Sequence, residues 1–233
     1  MKKKILMVST VPATLNFFRG QIQFLKKDFD IEIVSSPGTT LEIIGENEGV
    51  KTHAVEMIRE ISIFKDLTSL FKLTSLFIRI KPDIVHGNTP KGGLLSMVSA
   101  WLARVPYRVY YIHGLRYEGA KGIKRKILMF IERISCFLST DIISVSYGVK
   151  ENLAKDKITS KTPNIIGNGS ANGIDADFFS QNSVNTINLR EKYDIKEDEF
   201  VFGFVGRFVG DKGVNELVNV FIELNKKHNN IKL

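Results

Sequence analysis

The sequence has one cysteine in 233 residues, Cys136, which excludes an internal disulfide framework and fits a reducing compartment. Cys136 sits in an apolar helical pattern, the setting of a buried, inert thiol. Long apolar runs are also missing: no window supplies the roughly 20 apolar residues of a membrane span. Lys2, Lys3 and Lys4 precede Ile5-Leu6-Met7-Val8 in the manner of a secretory leader, but the apolar stretch is too short and Pro12 interrupts it. A cytoplasmic protein is expected. The histidines (His53, His86, His113 and His228) and the lone cysteine show no metal-ligand spacing, so no zinc-type site is expected. No G-x-G-x-x-G follows a strand, which weighs against a nicotinamide or flavin cofactor.

What is present reads as a globular α/β chain. Hydrophobic residues make up 43% and charged residues 25%, which argues against disorder. Val/Ile-rich strands are predicted at Ile5–Ser9, Ile31–Ser35, Lys51–Val55, Asp83–His86, Arg108–His113, Asp141–Ser146 and Asn164–Gly167. Helical spacing lies between them, at Asn16–Lys27, Leu41–Asn47, Asp66–Ile80, Gly92–Ala103, Ile123–Ser139 and Tyr147–Ala154. In Asp66–Ile80 one face is predicted to carry Leu67, Leu70, Phe71, Thr74, Phe77 and Ile78. Such alternation implies a parallel sheet with helices on both faces. Residues 1–178 form one domain in this reading, and the polar stretch 179–199 is a linker with a helical piece at Leu189–Tyr193. Residues 200–233 hold one strand, one helix and the start of another strand, too little to bury a core of their own.

The most informative run is Phe200-Val201-Phe202-Gly203-Phe204-Val205-Gly206-Arg207-Phe208-Val209-Gly210-Asp211-Lys212-Gly213. An apolar strand, Phe200–Val205, ends at Gly206, and a helix opens after Gly213. Glycines permit a sharp turn and close backbone approach. A helix N-terminus offers N–H groups to an anion. Arg207 can fork onto phosphate oxygens while Lys212 acts as a point charge. The spacing points to diphosphate binding.

This run resembles the donor-binding signature of retaining glycosyltransferases of family 4, which have the GT-B fold. Met57-Ile58-Arg59-Glu60-Ile61-Ser62, Pro82-Asp83-Ile84-Val85-His86, Thr89-Pro90-Lys91-Gly92-Gly93-Leu94-Leu95, His113-Gly114 and Gly169-Ser170-Ala171-Asn172-Gly173-Ile174-Asp175 follow in the family's order. Together they are similar to the branch that builds capsular, O-antigen and other lipid-linked polysaccharides. The resemblance implies a Rossmann-like N-terminal domain and only the first strand–helix unit of a C-terminal, donor-binding Rossmann-like domain. It implies a nucleotide-diphosphate-sugar as co-substrate rather than a cofactor, and a polyprenyl-diphosphate-linked glycan as acceptor. Gly206, Arg207, Lys212 and Gly213 would hold the donor diphosphate, with Arg207 and Lys212 stabilising charge on the leaving group. His113 would orient the sugar.

The remaining motifs keep two readings each. Asn88, Thr89 and Lys91 line the expected cleft, with Arg59 as a further acceptor contact, yet Thr89 and Pro90 also read as an ordinary helix cap. Ser170 and Asn172 either touch ligand or shape a turn. One departure stands out: the family's glycine-rich loop after the first strand is here Thr10-Val11-Pro12-Ala13-Thr14-Leu15-Asn16, without glycine. The net charge is +8, and Arg116–Arg133 holds half of it. The basic, apolar segment 121–139 either rests on anionic membrane at the inner face of the cell or is a solvated face over a core stripe. No nucleic-acid-binding motif accompanies the charge. A sugar-nucleotide epimerase of the same fold and an inactive binding module are the alternative functions.

Overall fold

The structure, a computed structural model, describes residues 2–58, 60, 62–177, 179–180 and 189–233. The chain divides into two compact units, Met1–Gly173 and Ile174–Leu233. The first alternates strands and helices: β1 (Lys3–Val8), a 3-10 turn (Pro12–Phe18), α1 (Gln21–Leu25), β2 (Phe29–Ser35), α2 (Thr39–Glu48), β3 (Lys51–Ala54), α3 (Ile63–Ile80), β4 (Ile84–Asn88), α4 (Pro90–Leu102), β5 (Tyr107–Ile112), α5 (Gly122–Leu138), β6 (Asp141–Ser144) and α6 (Tyr147–Lys155). These strands pair in parallel in the order β3-β2-β1-β4-β5-β6. The order reverses between β1 and β4. Crossovers leave to opposite sides there, which opens a crevice beyond the carboxyl ends of those two strands.

The strands are apolar on both faces because both faces are covered. Ile5, Met7, Ile31 and Ile33 point to one side, where they pack with Leu15, Phe18, Ile22, Leu41, Ile44 and Tyr111. The residues between them point the other way. Leu6, Val8, Val34, Val85, Tyr110 and Ile112 meet Leu73, Phe77, Leu95, Met97 and Cys136 of the covering helices. Helix α4 lies so close to the sheet that a Cβ on Gly93 would fall 2.1 Å from Tyr110 Cε2. Cys136 is fully buried, and burial raises its thiol pKa, as an inert thiol requires.

Several local expectations are corrected. The helix expected at Asn16–Lys27 is two pieces, because Gly20 at φ +78° breaks the chain between the 3-10 turn and α1. The strand expected at Asn164–Gly167 reduces to an isolated bridge between Asn164 and Ile143. In α3 the buried side is Ser69, Leu73, Leu76 and Phe77, whereas Leu67, Phe71 and Ile78 are exposed. That helix is apolar on more than one side, so periodicity alone does not select the face it buries.

The second unit contains α7 (Leu189–Lys192), β7 (Phe200–Val201), a 3-10 turn (Gly210–Lys212), α8 (Val214–Asn225) and β8 (Ile231–Lys232). β7 pairs in parallel with β8, Phe200 opposite Ile231. The expected strand Phe200–Val205 is shorter than its apolar run, since β8 offers partners to only two of its residues. No described residue of α8 is buried.

Candidate functional site

The crevice is built from the ends of β1 and β4. Thr10 and Thr89 close it hydroxyl to hydroxyl, with their Oγ1 atoms 2.7 Å apart. Thr89 also caps α4: its Oγ1 accepts from Gly92 N at 3.2 Å. It does so at φ +67°, a costly conformation for a β-branched residue and one seen where local structure is over-determined. A Cβ on Gly92 would lie 2.8 Å from Thr89 Oγ1 and 2.9 Å from Thr10 N. The paired glycines of the Thr89–Leu95 run therefore let α4 approach both the β1 loop and the sheet.

Beneath the crevice lies a cluster of imidazoles and aromatic rings. Strand periodicity puts His86 and Asn88 of β4 on one face, beside Tyr111 of β5 and His113 just after it. Asn88 is fully buried. Its Nδ2 donates to Val8 O and His86 O, each at 3.2 Å, and faces His86 Nδ1 at 3.1 Å. Its Oδ1 faces His113 Nε2 at 3.3 Å. His113 stacks on Tyr111 with ring centroids 4.3 Å apart and is flanked by Phe17 and Phe18 at 5.9 and 5.8 Å. Burial pushes the pKa of both His86 and His113 down to about 4, with the charge of His113 adding to the effect at His86. Both rings are neutral at pH 7.

The expected cleft residues divide. His113 and Thr89 stand at the crevice, each partly exposed. Asn88, expected to line it, lies under it instead, because its strand carries it into the covered face. Lys91 reaches the same edge, but its Nζ is 2.6 Å from Asp66 Oδ1 and also donates to Glu60 O. That ammonium ties the first turn of α4 to that of α3. Ser170 contributes backbone: its N donates to Val145 O at 2.7 Å and its O accepts from Tyr111 Oη at 3.2 Å. Asn172 Nδ2 donates to Arg19 O at 2.7 Å. Arg59 lies outside the described residues. Sequence reasoning gave His86 no role; its one signal was the i, i+2 spacing to Asn88 on a strand.

The loop after β1, which lacks the family's glycines, forms the 3-10 turn Pro12–Phe18. It presents aromatic rings rather than bare backbone. Phe18 is buried edge-on to His86, whereas Phe17 is about half exposed beside His113.

In the second unit, Gly206, Arg207 and Lys212 lie on the turn leading into α8. Val209 N donates to Arg207 O at 2.9 Å and Lys212 N to Val209 O at 3.0 Å, which closes a compact loop. Gly213, at φ +67°, heads α8. The first N–H groups of that helix follow directly on the two cations.

Helix α5 carries the basic segment. Glu132, Ser135 and Cys136 are its buried residues. Ile123, Ile127, Phe130 and Phe137, at helical spacing, are exposed, as are Lys121, Lys124, Lys126 and Arg133. Leu128, Met129 and Leu138 pack against the core beside Cys136, while Ile127, Phe130 and Phe137 face solvent, so the helix has both a core stripe and an exposed apolar, basic face. Arg125 is held separately, 3.2 Å from Asp156 Oδ1 and over the ring of Tyr117. Among the described residues no helix is long and apolar enough to cross a membrane.

Comparison with known proteins agrees with this architecture. Residues 4–146 match the family described as glycosyl transferase 4-like. The chain is 41% identical to the capsular polysaccharide biosynthesis glycosyltransferase CapM of Staphylococcus aureus, over 99% of the chain and 60% of that protein. It is 29% identical to the UDP-Gal:alpha-D-GlcNAc-diphosphoundecaprenol alpha-1,3-galactosyltransferase of Escherichia coli, over 88% of the chain and 54% of that protein. It thus spans between half and two thirds of the length of these relatives. Among solved structures, Anabaena HepE in complex with UDP-glucose superposes with a TM-score of 0.70 at 16% identity, covering 94% of the chain and 57% of HepE. A UDP-N-acetylglucosamine 2-epimerase from Rickettsia bellii superposes at 0.64 with 14% identity, over 100% of the chain and 61% of the enzyme. At these identities the likeness is one of fold, the GT-B architecture common to transferases and epimerases.

Proposed function

The chain belongs to the glycosyl transferase 4-like family, and on that premise we propose that it serves a transferase moving a hexosyl or N-acetylhexosaminyl group from a nucleotide-diphosphate sugar to a hydroxyl of a polyprenyl-diphosphate-linked glycan, in surface-polysaccharide assembly. The observation that carries this reading is the 41% identity to a capsular glycosyltransferase along nearly the whole chain. In the reaction, the bond from the anomeric carbon to the donor diphosphate breaks, a bond to the acceptor oxygen forms, and the acceptor hydroxyl loses its proton. Negative charge grows on the leaving diphosphate. Arg207, Lys212 and the N-terminus of α8, with Gly206 and Gly213 allowing close approach, are suited to stabilise it. His113, neutral and partly exposed, is suited to a sugar hydroxyl rather than a phosphate.

The acceptor is lipid-borne in this proposal, and the outer face of α5 is suited to the anionic surface in which such a lipid resides. Its exposed apolar side chains would enter the headgroup region while Lys121, Lys124 and Lys126 meet lipid charge. In this reading the protein is peripheral, at the cytoplasmic face of the membrane. An epimerase would need acid and base groups at the sugar. The two imidazoles here are hydrogen-bonded to an amide and held neutral, which favours transfer. The test is to incubate a protein of the relatives' full length with nucleotide sugar, with and without lipid-linked acceptor. Transfer predicts product only with acceptor; interconversion of the nucleotide sugar without acceptor would favour the epimerase.

A further inference from the structure

We infer that Asn88 is a positioning residue that fixes the tautomer of His113, leaving Nδ1 of that ring bare as a hydrogen-bond acceptor for a ligand hydroxyl. Some of the atoms around Asn88 have roles that admit no choice. The backbone carbonyls of Val8 and His86 only accept, and both face the same terminal atom of the Asn88 side chain, at 3.2 Å. That atom is therefore the amide NH₂. The other terminal atom is then the amide oxygen, an acceptor, and it faces His113 Nε2 at 3.3 Å. Nε2 must carry the proton. In a neutral imidazole the remaining nitrogen, Nδ1, holds a lone pair.

The side chain of Asn88 has little freedom to turn over. It is fully buried, and reversing the amide would set its oxygen against two carbonyl oxygens. The same nitrogen also faces His86 Nδ1 at 3.1 Å. His113 remains partly exposed beside Phe17, which is itself about half exposed, so the ring is accessible to ligand while its far nitrogen is anchored. The titratable ring packed on His113 is Tyr111, and His86 is close enough to interact with it electrostatically; neither carries charge at neutral pH.

The chemical consequence is selective. A bare nitrogen accepts from O–H or N–H and repels phosphate and carboxylate oxygens, which also only accept. The inference rests on the proposed sugar-binding role of His113 for the identity of the hydroxyl, and on the geometry alone for the tautomer.

The experiment is long-range ¹H–¹⁵N correlation NMR on the chain labelled with ¹⁵N-histidine. At neutral pH the His113 pattern should be that of the Nε2–H tautomer. In Asn88→Ala the same ring should populate both tautomers. An Nδ1–H pattern in the parent protein would overturn the inference, and so would a folded Asn88→Ala protein whose His113 pattern is unchanged. If Asn88→Ala does not fold, the parent spectrum still decides, and Asn88→Ser supplies a smaller perturbation with the same predicted loss of tautomer preference. The spectrum reports protonation and not turnover, so a failure of the transferase reading would leave this result interpretable on its own.

Discussion

Lys91 and Asp66 form an ion pair at 2.6 Å, with side chains only 10% and 21% exposed. It joins the first turns of α4 and α3 at the carboxyl edge of the sheet, beside the crevice. A residue expected to reach for ligand thus spends its charge on the scaffold. Removing one partner leaves the other poorly solvated. Lys91→Ala should therefore destabilise the fold by about 2–3 kcal/mol in urea denaturation. The double variant with Asp66→Asn should lose less than the sum of the singles, by about 1–2 kcal/mol. Additive losses would mean that the pair is not coupled and would return Lys91 to a ligand-facing role.

Glu132 offers a prediction with a definite sign. Burial raises its pKa to about 7 from an ordinary 4.5, although the hydrogen bond from Tyr110 Oη at 2.8 Å opposes the shift. The unfolded chain ionises first, so the folded state loses relative stability as pH rises from about 4.5 to about 7. Glu132→Gln should stabilise the protein by about 1–3 kcal/mol at pH 8, with the gain vanishing in acid. Thermal melts across pH check this; a gain independent of pH would contradict it.

The close approach of α4 to the sheet is testable with two alanines. Gly93→Ala would drive a methyl into the buried ring of Tyr110 and should cost about 1–3 kcal/mol. Gly119→Ala, with nothing within 4 Å of the new Cβ, should be tolerated. Equal stability of the two variants would show that the sheet yields at Tyr110.

At the membrane, the chain should bind vesicles containing anionic lipid and release as salt rises. Replacing Lys121, Lys124 and Lys126 with Gln removes three exposed cations at about 1 kcal/mol each, or roughly two orders of magnitude in affinity. Arg125 is left in place because Asp156 and Tyr117 hold it. Undiminished binding by the triple variant, or equal binding to neutral vesicles, would leave α5 without this role.

Much of the architecture was legible in the sequence, for a physical reason. Period-two strands alternating with period-3.6 helices admit few packings, and a parallel sheet covered on both faces is the one that buries runs such as Ile5–Val8 and Ile31–Val34. What was illegible depends on which side of an element is covered. Both α3 and α5 are apolar on more than one face, so Leu67, Phe71 and Phe130 could not be placed outward from spacing alone. At the site, His113 was legible from its place at a strand end. Asn88 reads from the sequence as a crevice residue, and its complete burial follows from packing that no local pattern reports. The ion pair of Lys91 joins residues far apart in sequence, and nothing local announces it.

In the proposed reaction the sugar leaves a diphosphate held at Gly206–Gly213. The most direct test is the steady-state rate of sugar transfer to a polyprenyl-diphosphate-linked glycan, measured in a protein of the relatives' full length carrying Arg207→Ala or Lys212→Ala. Each substitution should lower kcat by about 10²–10³-fold, the scale for losing one donor to a developing charge. Circular dichroism should be unchanged, since both residues are exposed at a turn. Near-normal turnover in both variants would contradict the claim and remove the diphosphate from this turn.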